Sequence, residues 1–163
     1  MGRDNTTIRE ATESDSTAIA ALAGELGYAT TSAEMHRRLA ALQKSGNDSV
    51  LVAMRSGKVA AWIHLSRVMS LESEVFAEIR GFVVTESERG TGVGTELVKA
   101  AEAWARERAC PKIRVRSNVV RTDTRRFYEN RGFVVTKTQN VFDKPLVAGH
   151  TSRSGRITNS RSR

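Results

Sequence analysis

Apolar positions change their period along this chain, and the changes mark out its elements. Thr6 to Ala11 reads as a short strand. Ile19, Leu22, Ala23 and Leu26 then recur at helical spacing behind Thr12 and Asp15, a pair suited to capping, and Gly27 stops the run. A second helix follows, with Thr31 and Glu34 as its capping box, Met35, Leu39 and Leu42 on one face, and a stop at Gly46. Three β-type runs come next: Val50–Arg55, Val59–Leu65 and Val75–Val84. Ser56-Gly57-Lys58 offers a hairpin turn between the first two, and a polar loop leads to the third. After a glycine-rich segment, the stripe Val93, Leu97, Ala101, Trp104 and Ala105 predicts a long helix from Val93 to Ala109, ended by Pro111. A strand at Ile113–Ser117, a short helix at Thr122–Asn130 and a final hairpin, Phe133–Lys137 with Val141–Leu146, complete the pattern. The order β-α-α-β-β-β-α-β-α-β-β predicts an α/β fold around one central sheet.

Length and composition bound this picture. The 163 residues suit a single domain, which the pattern places at residues 6–147. Residues 148–163 are rich in Ser, Arg, Thr and Gly, with Ile157 as the sole large apolar residue, and are expected to form a basic, disordered tail. Four tail arginines carry half of the net charge of +8, so the domain itself is only mildly basic. With 6% aromatic residues and no clustered stacking platform, the sequence argues against a nucleic-acid-binding module. A single cysteine, Cys110, excludes an internal disulfide, and three scattered histidines suggest no metal site. Cys110 and His64 read as structural, Trp62 and Trp104 as core. No apolar run is long enough for a membrane span and no leader is evident, so a cytoplasmic protein is expected.

The densest chemical signal lies between the third β-run and the long helix, at Arg89-Gly90-Thr91-Gly92-Val93-Gly94-Thr95. Alternate glycines allow close approach to the backbone, and a helix N-terminus offers unpaired N–H groups to a phosphate. The letters fail both a P-loop, which needs Gly-Lys-Ser/Thr, and a dinucleotide turn, which needs a third glycine where Thr95 stands. They fit Arg/Gln-x-x-Gly-x-Gly/Ala. With the element order and the later Phe127-Tyr128-Glu129-Asn130-Arg131-Gly132-Phe133, the chain resembles the GNAT superfamily of acetyl-CoA-dependent N-acetyltransferases.

That resemblance implies the acyl-CoA N-acyltransferase fold, a mixed sheet flanked by about four helices, and acetyl-CoA as co-substrate without a metal. It implies that the backbone of Phe82, Val83 and Val84 runs beside the pantetheine arm. An N–H near Val84 would then face the thioester oxygen as it gains charge. The backbone of Arg89, Gly90, Thr91, Gly92, Val93, Gly94 and Thr95 would wrap the pyrophosphate, with the Thr95 hydroxyl as a further donor. Tyr128 matches the family tyrosine that protonates the departing thiolate. Glu78 stands eleven residues before Arg89, where some members keep a glutamate base, and strand alternation sets it opposite Ile79, Gly81 and Val83. Its other readings are a solvated strand carboxylate and one bound to Arg80. Asn118 is a candidate cofactor ligand, although the family's asparagine position, seven residues before the tyrosine, holds Arg121.

The implied reaction is direct attack of a primary amine on acetyl-CoA. A small-molecule acceptor is preferred to a protein lysine or N-terminus, and a non-catalytic coenzyme A-binding module is the alternative of another class. The family also makes a homodimer one of the assemblies open to the chain. The stretch Gly24 to Gly46 and the loops Val68–Ser73 and Gln139–Asp143 would shape the acceptor site, but hold no motif that identifies the acceptor.

Overall fold

A computed structural model describes residues 5–147 of the chain, so the expected tail at 148–163 lies outside the described residues. One mixed sheet organises the fold. Its strands are β1 (Thr7–Glu10), β2 (Asp48–Arg55), β3 (Lys58–Ser70), β4 (Ser73–Val84) and β5 (Ile113–Val115), lying side by side in chain order. Each neighbouring pair is antiparallel except β4–β5, which is parallel. Helices α1 (Ser16–Glu25) and α2 (Ser32–Gln43) come between β1 and β2, α3 (Val93–Glu107) between β4 and β5, and α4 (Thr122–Glu129) after β5.

The sheet is buried on both faces, which is why its strands are nearly continuous apolar runs. On one face Ile63, Leu65, Ala77 and Ile79 pack with Leu97 and Ala101 of α3. On the other, Val52 packs with Ile19 of α1 and Leu39 of α2. Sequence signals set the helix ends. Thr31 Oγ1 accepts the Glu34 N–H at 3.1 Å at the start of α2. Thr12 N–H donates to Asp15 Oδ2 at 2.8 Å ahead of α1, and Arg9 clamps the same carboxylate at 2.7 and 2.9 Å. His64 Nε2–H donates to Asp48 Oδ1 at 3.0 Å and ties β3 to β2.

Three expectations need correction. First, β3 and β4 are longer than their apolar cores and meet at Leu71-Glu72, so the polar loop shrinks to a hairpin tip. Backbone pairing carries a ladder beyond the point where side chains are buried. Second, the final hairpin is absent: residues 134–147 form no strand among the described residues. Val134, Val141, Phe142 and Leu146 are exposed, and a hairpin with both faces in water does not offset the entropy of ordering it. Third, the alternation of β4 slips. His64 pairs with Gly81 while Leu65 pairs with Ile79, which makes Arg80 an extra residue, a β-bulge. Beyond the bulge, Phe82 and Val84 join Ile79 on the α3 face. Gly81 turns to the α1–α2 face beneath Trp62, whose Cζ3 lies 2.8 Å from where a Cβ would stand.

Candidate active site

The parallel β4–β5 pairing ends at Ile79 and Val115, so β4 continues through Phe82 and Val84 with one edge open. In an antiparallel ladder, successive residues turn their N–H and C=O alternately toward and away from a neighbour. Thr85 N–H donates to Ala60 C=O at 2.9 Å, and Val84 lies opposite Ala61. That phase directs the polar groups of Val83 to β3 and those of Phe82 and Val84 to the open edge. The Arg89 Nε–H reaches back to the Val84 carbonyl at 3.2 Å.

The open edge leads directly into the glycine loop. Gly90 and Gly92 have φ of 77° and 96°, in the left-handed region, and no atom lies within 4 Å of the position a Cβ would take at either. No side chain from elsewhere in the fold fills the space a Cβ would take there. Gly92 caps α3, whose first bonded amide is Glu96 to the Gly92 carbonyl, so the N–H groups of Val93, Gly94 and Thr95 are its unpaired donors. Gly94 serves packing: a Cβ there would meet Phe82 Cζ at 3.2 Å and Val84 Cγ2 at 3.3 Å. The Thr95 hydroxyl is engaged by Arg131 Nη2. Arg131 also stacks on the Phe127 ring, 3.5 Å from its centroid, and donates to the Phe127 carbonyl, joining α4 to the start of α3. No local pattern singles out Arg131, because Thr95 is 36 residues away.

Where β4 and β5 part, a cleft of about 480 Å³ opens between α1–α2 and α4. Tyr128, Asn118 and Arg121 line it together, so the extended loop before α4 brings Asn118 to the site despite its unusual spacing. Gly81, Phe82 and Val83 form one wall. Trp62, read as core from sequence, also lines this cleft, while Trp104 is buried as expected. Tyr28 and Met35 come from the α1–α2 stretch expected to shape the acceptor site.

Tyr128 is 6% exposed, edge-on to Phe127 and Phe133 with centroids 5.2 Å away in each case. Burial pushes its phenol up to about 12, against a smaller opposing pull from Arg131. Glu78 is 2% exposed and held by two guanidiniums: Arg116 Nε at 2.7 Å on Oε1, and Arg80 Nη1 on Oε2. Burial alone would raise its pKa, but hydrogen bonds and charge from Arg116 and Arg80 outweigh it and hold the carboxyl below its ordinary value. Glu78 is therefore an arginine-bound carboxylate and not a solvated one. Arg116, which also donates to Gln139 Oε1 at 3.0 Å, escaped sequence reasoning because it meets Glu78 across 38 residues.

Among the described residues no group of His, Cys, Asp and Glu is arranged to hold a metal ion, and no helix is long and apolar enough to cross a membrane.

The model of the Acetyltransferase (GNAT) family matches residues 16–133. The chain is 30% identical over 128 residues to an aminoalkylphosphonate N-acetyltransferase of Salmonella typhimurium, covering 77% of this chain and 83% of that one. It is 36% identical over 70 residues to an aminoglycoside N(6')-acetyltransferase type 1 of Klebsiella aerogenes, a match spanning 43% of this chain and 46% of that relative. Among solved structures, AAC(6')-Iy in complex with a bisubstrate analog, CoA-S-monomethyl-acetylneamine, shares the fold with a TM-score of 0.77 at 17% identity, over 86% of this chain and 99% of that one.

Proposed function

The chain belongs to the GNAT acetyltransferase family and is an N-acetyltransferase, and from that premise we propose that it moves acetyl from acetyl-CoA to the primary amine of a small molecule. The observation that carries this reading is the β4 edge left without a partner strand beyond Ile79, with the Val84 N–H facing outward, running into the glycine loop with Tyr128 beside it. A pantetheine arm has amides that fit such an edge, and a pyrophosphate fits free N–H groups at a helix N-terminus. The bisubstrate analog of coenzyme A bound to AAC(6')-Iy and the aminoglycoside and aminoalkylphosphonate acetyltransferases among the relatives support coenzyme A and small amine acceptors.

Acetyl-CoA supplies an activated thioester carbonyl. The chain's own contributions are geometric and electrostatic. Phe82 and Val84 offer backbone groups that hold a pantetheine arm in extended register, and the Val84 N–H faces outward, where charge develops on a carbonyl oxygen. Val83 lines the cleft wall. Arg89, Gly90, Thr91 and Gly92 supply the loop around the phosphates, and Val93 through Thr95 the helix donors. Tyr128 stays protonated at any working pH and so holds a proton for the sulfur released when the C–N bond replaces the C–S bond. Asn118 lines the same cleft as a cofactor ligand, its Oδ1 also accepting the Val120 N–H at 3.3 Å.

Glu78 acts as a positioning residue. Both of its oxygens are occupied, so a substrate ammonium would have to displace a guanidinium to reach it. It instead aims Arg80 and Arg116 at the cleft, and the amine loses its proton to solvent.

The test is a thermal shift with saturating acetyl-CoA followed by thiol release with amine acceptors. Ligand at about 100 times its Kd adds about 2.7 kcal/mol to stability, which moves the melting point by several degrees. A folded protein with no shift would overturn the assignment.

A further inference from the structure

We propose that the acceptor is a zwitterionic amine carrying a phosphonate or carboxylate, and that Arg38, Arg80, Arg116 and Arg121 receive its anionic end. The inference rests on the N-acetyltransferase reading above and narrows its substrate.

The cleft draws one arginine from each of four places. Arg38 comes from α2, Arg80 from the β4 bulge, Arg116 from the residue after β5, and Arg121 from the cap of α4. No Asp or Glu is among the residues lining it. Two carboxylates answer the four guanidiniums. Glu34 bonds Arg38, and Glu78 bonds both Arg80 and Arg116. Glu78 spends both oxygens on those arginines and offers none to a ligand, while Arg121 has no acidic partner among the described residues. The cleft therefore carries a surplus of two positive charges.

This surplus discriminates between acceptors. A polyamine or an aminoglycoside would bring several ammonium groups to a surface of guanidiniums without a lining carboxylate to receive them. Like charges brought together on binding cost several kcal/mol and act as a specificity filter. An amine with its own anion meets the opposite field, and the forked guanidinium matches phosphonate or carboxylate oxygens in paired bonds. No residue of the glycine loop lines the cleft, so the arginines form a positive surface separate from the loop's N–H donors. The bulge explains how Arg80 arrives: the extra residue turns a side chain outward where regular alternation continues the wall.

The experiment compares four acceptors at saturating acetyl-CoA: 2-aminoethylphosphonate, β-alanine, ethanolamine and spermidine. The first three share one aminoethyl arm and differ in the group at its far end. Expected is a kcat/KM about 10- to 100-fold higher for an anionic acceptor than for ethanolamine or spermidine, the size of a charge-assisted contact. The better of the first two identifies phosphonate or carboxylate. R38Q and R121Q should each narrow that gap about tenfold, mainly through KM, with the acetyl-CoA thermal shift retained as proof of folding. Preference for ethanolamine or spermidine, or equal loss on every acceptor in both variants, would overturn the proposal. Where acetyl-CoA binds but none of the four turns over, calorimetric titration of each into the coenzyme A-loaded protein decides. Binding of an anionic amine alone upholds the proposal, and any other pattern overturns it. Absence of an acetyl-CoA shift in the wild-type protein is the distinct failure of the parent reading.

Discussion

Replacing Glu78 by glutamine separates a base from a strut. The side chain is 2% exposed and accepts from Arg116 and Arg80, whose side chains are 59% and 52% exposed. A glutamine keeps the shape, but its single oxygen can serve only one guanidinium and turns an NH₂ to the other. A hydrogen bond to a charged group is worth about 1.5–3 kcal/mol, and breaking a fully buried pair costs about 3–5 kcal/mol. Here the released arginine is half exposed and regains water, so the lower range applies. The expected loss is about 2 kcal/mol, or about 4–8 °C in melting temperature for a chain of this size. Because the Glu78 pKa is lowered in the fold, its contribution is present above the ordinary value of 4.5 and fades as pH falls below it. Wild type and E78Q should therefore draw closer in stability as pH falls below 4.5. On activity, a strut predicts a raised KM for the acceptor with kcat within about tenfold of wild type. A general base predicts a kcat loss of about 10²–10⁴-fold. Thermal melts from pH 3 to 8, with acceptor kinetics at pH 7–9, make the comparison. A kcat loss beyond 100-fold with an unchanged melting temperature would refute the reasoning.

Other perturbations give equally definite readouts. Y128F should lower kcat by about 100-fold while leaving acetyl-CoA affinity nearly intact, as steady-state kinetics and titration would show; equal turnover reduces Tyr128 to packing. G92D places a side chain at φ 96° and a negative charge beside the α3 N-terminus, and should abolish the acetyl-CoA thermal shift in a protein that is still folded by circular dichroism. G94A presses a methyl against Phe82 and Val84 at 3.2–3.3 Å and should cost about 1–3 kcal/mol in a denaturant melt. Stability should also fall at both ends of the pH scale. Asp15, Asp48 and Glu78 are all held below their ordinary values and lose their contribution as pH drops through 4, while Tyr128, raised to about 12, withdraws its own as pH climbs from 10 to 12.

What the sequence determined by itself is local. Helix spacing, the Thr31–Glu34 cap and the turn at Gly57 depend on residues within one or two turns of each other, and α1, α2, α3 and the β2–β3 hairpin lie where those signals put them. The glycine loop was legible for the same reason, since positive φ and a free helix N-terminus are properties of a few consecutive residues. Tertiary structure decided what depends on encounter. The Arg80 bulge reverses the alternation of β4 through its register with β3, which no periodicity in β4 announces. Burial of Glu78 beneath Arg116, the bond from Arg131 to Thr95, and the gathering of four arginines around one cleft each join residues far apart in the chain. The segment after Phe133 shows the converse: its apolar letters suit a strand, but a strand needs a ladder and a covered face, and the fold provides it with neither. Local conformation follows from neighbours in sequence, whereas the charge and chemistry of the cleft follow from neighbours in space.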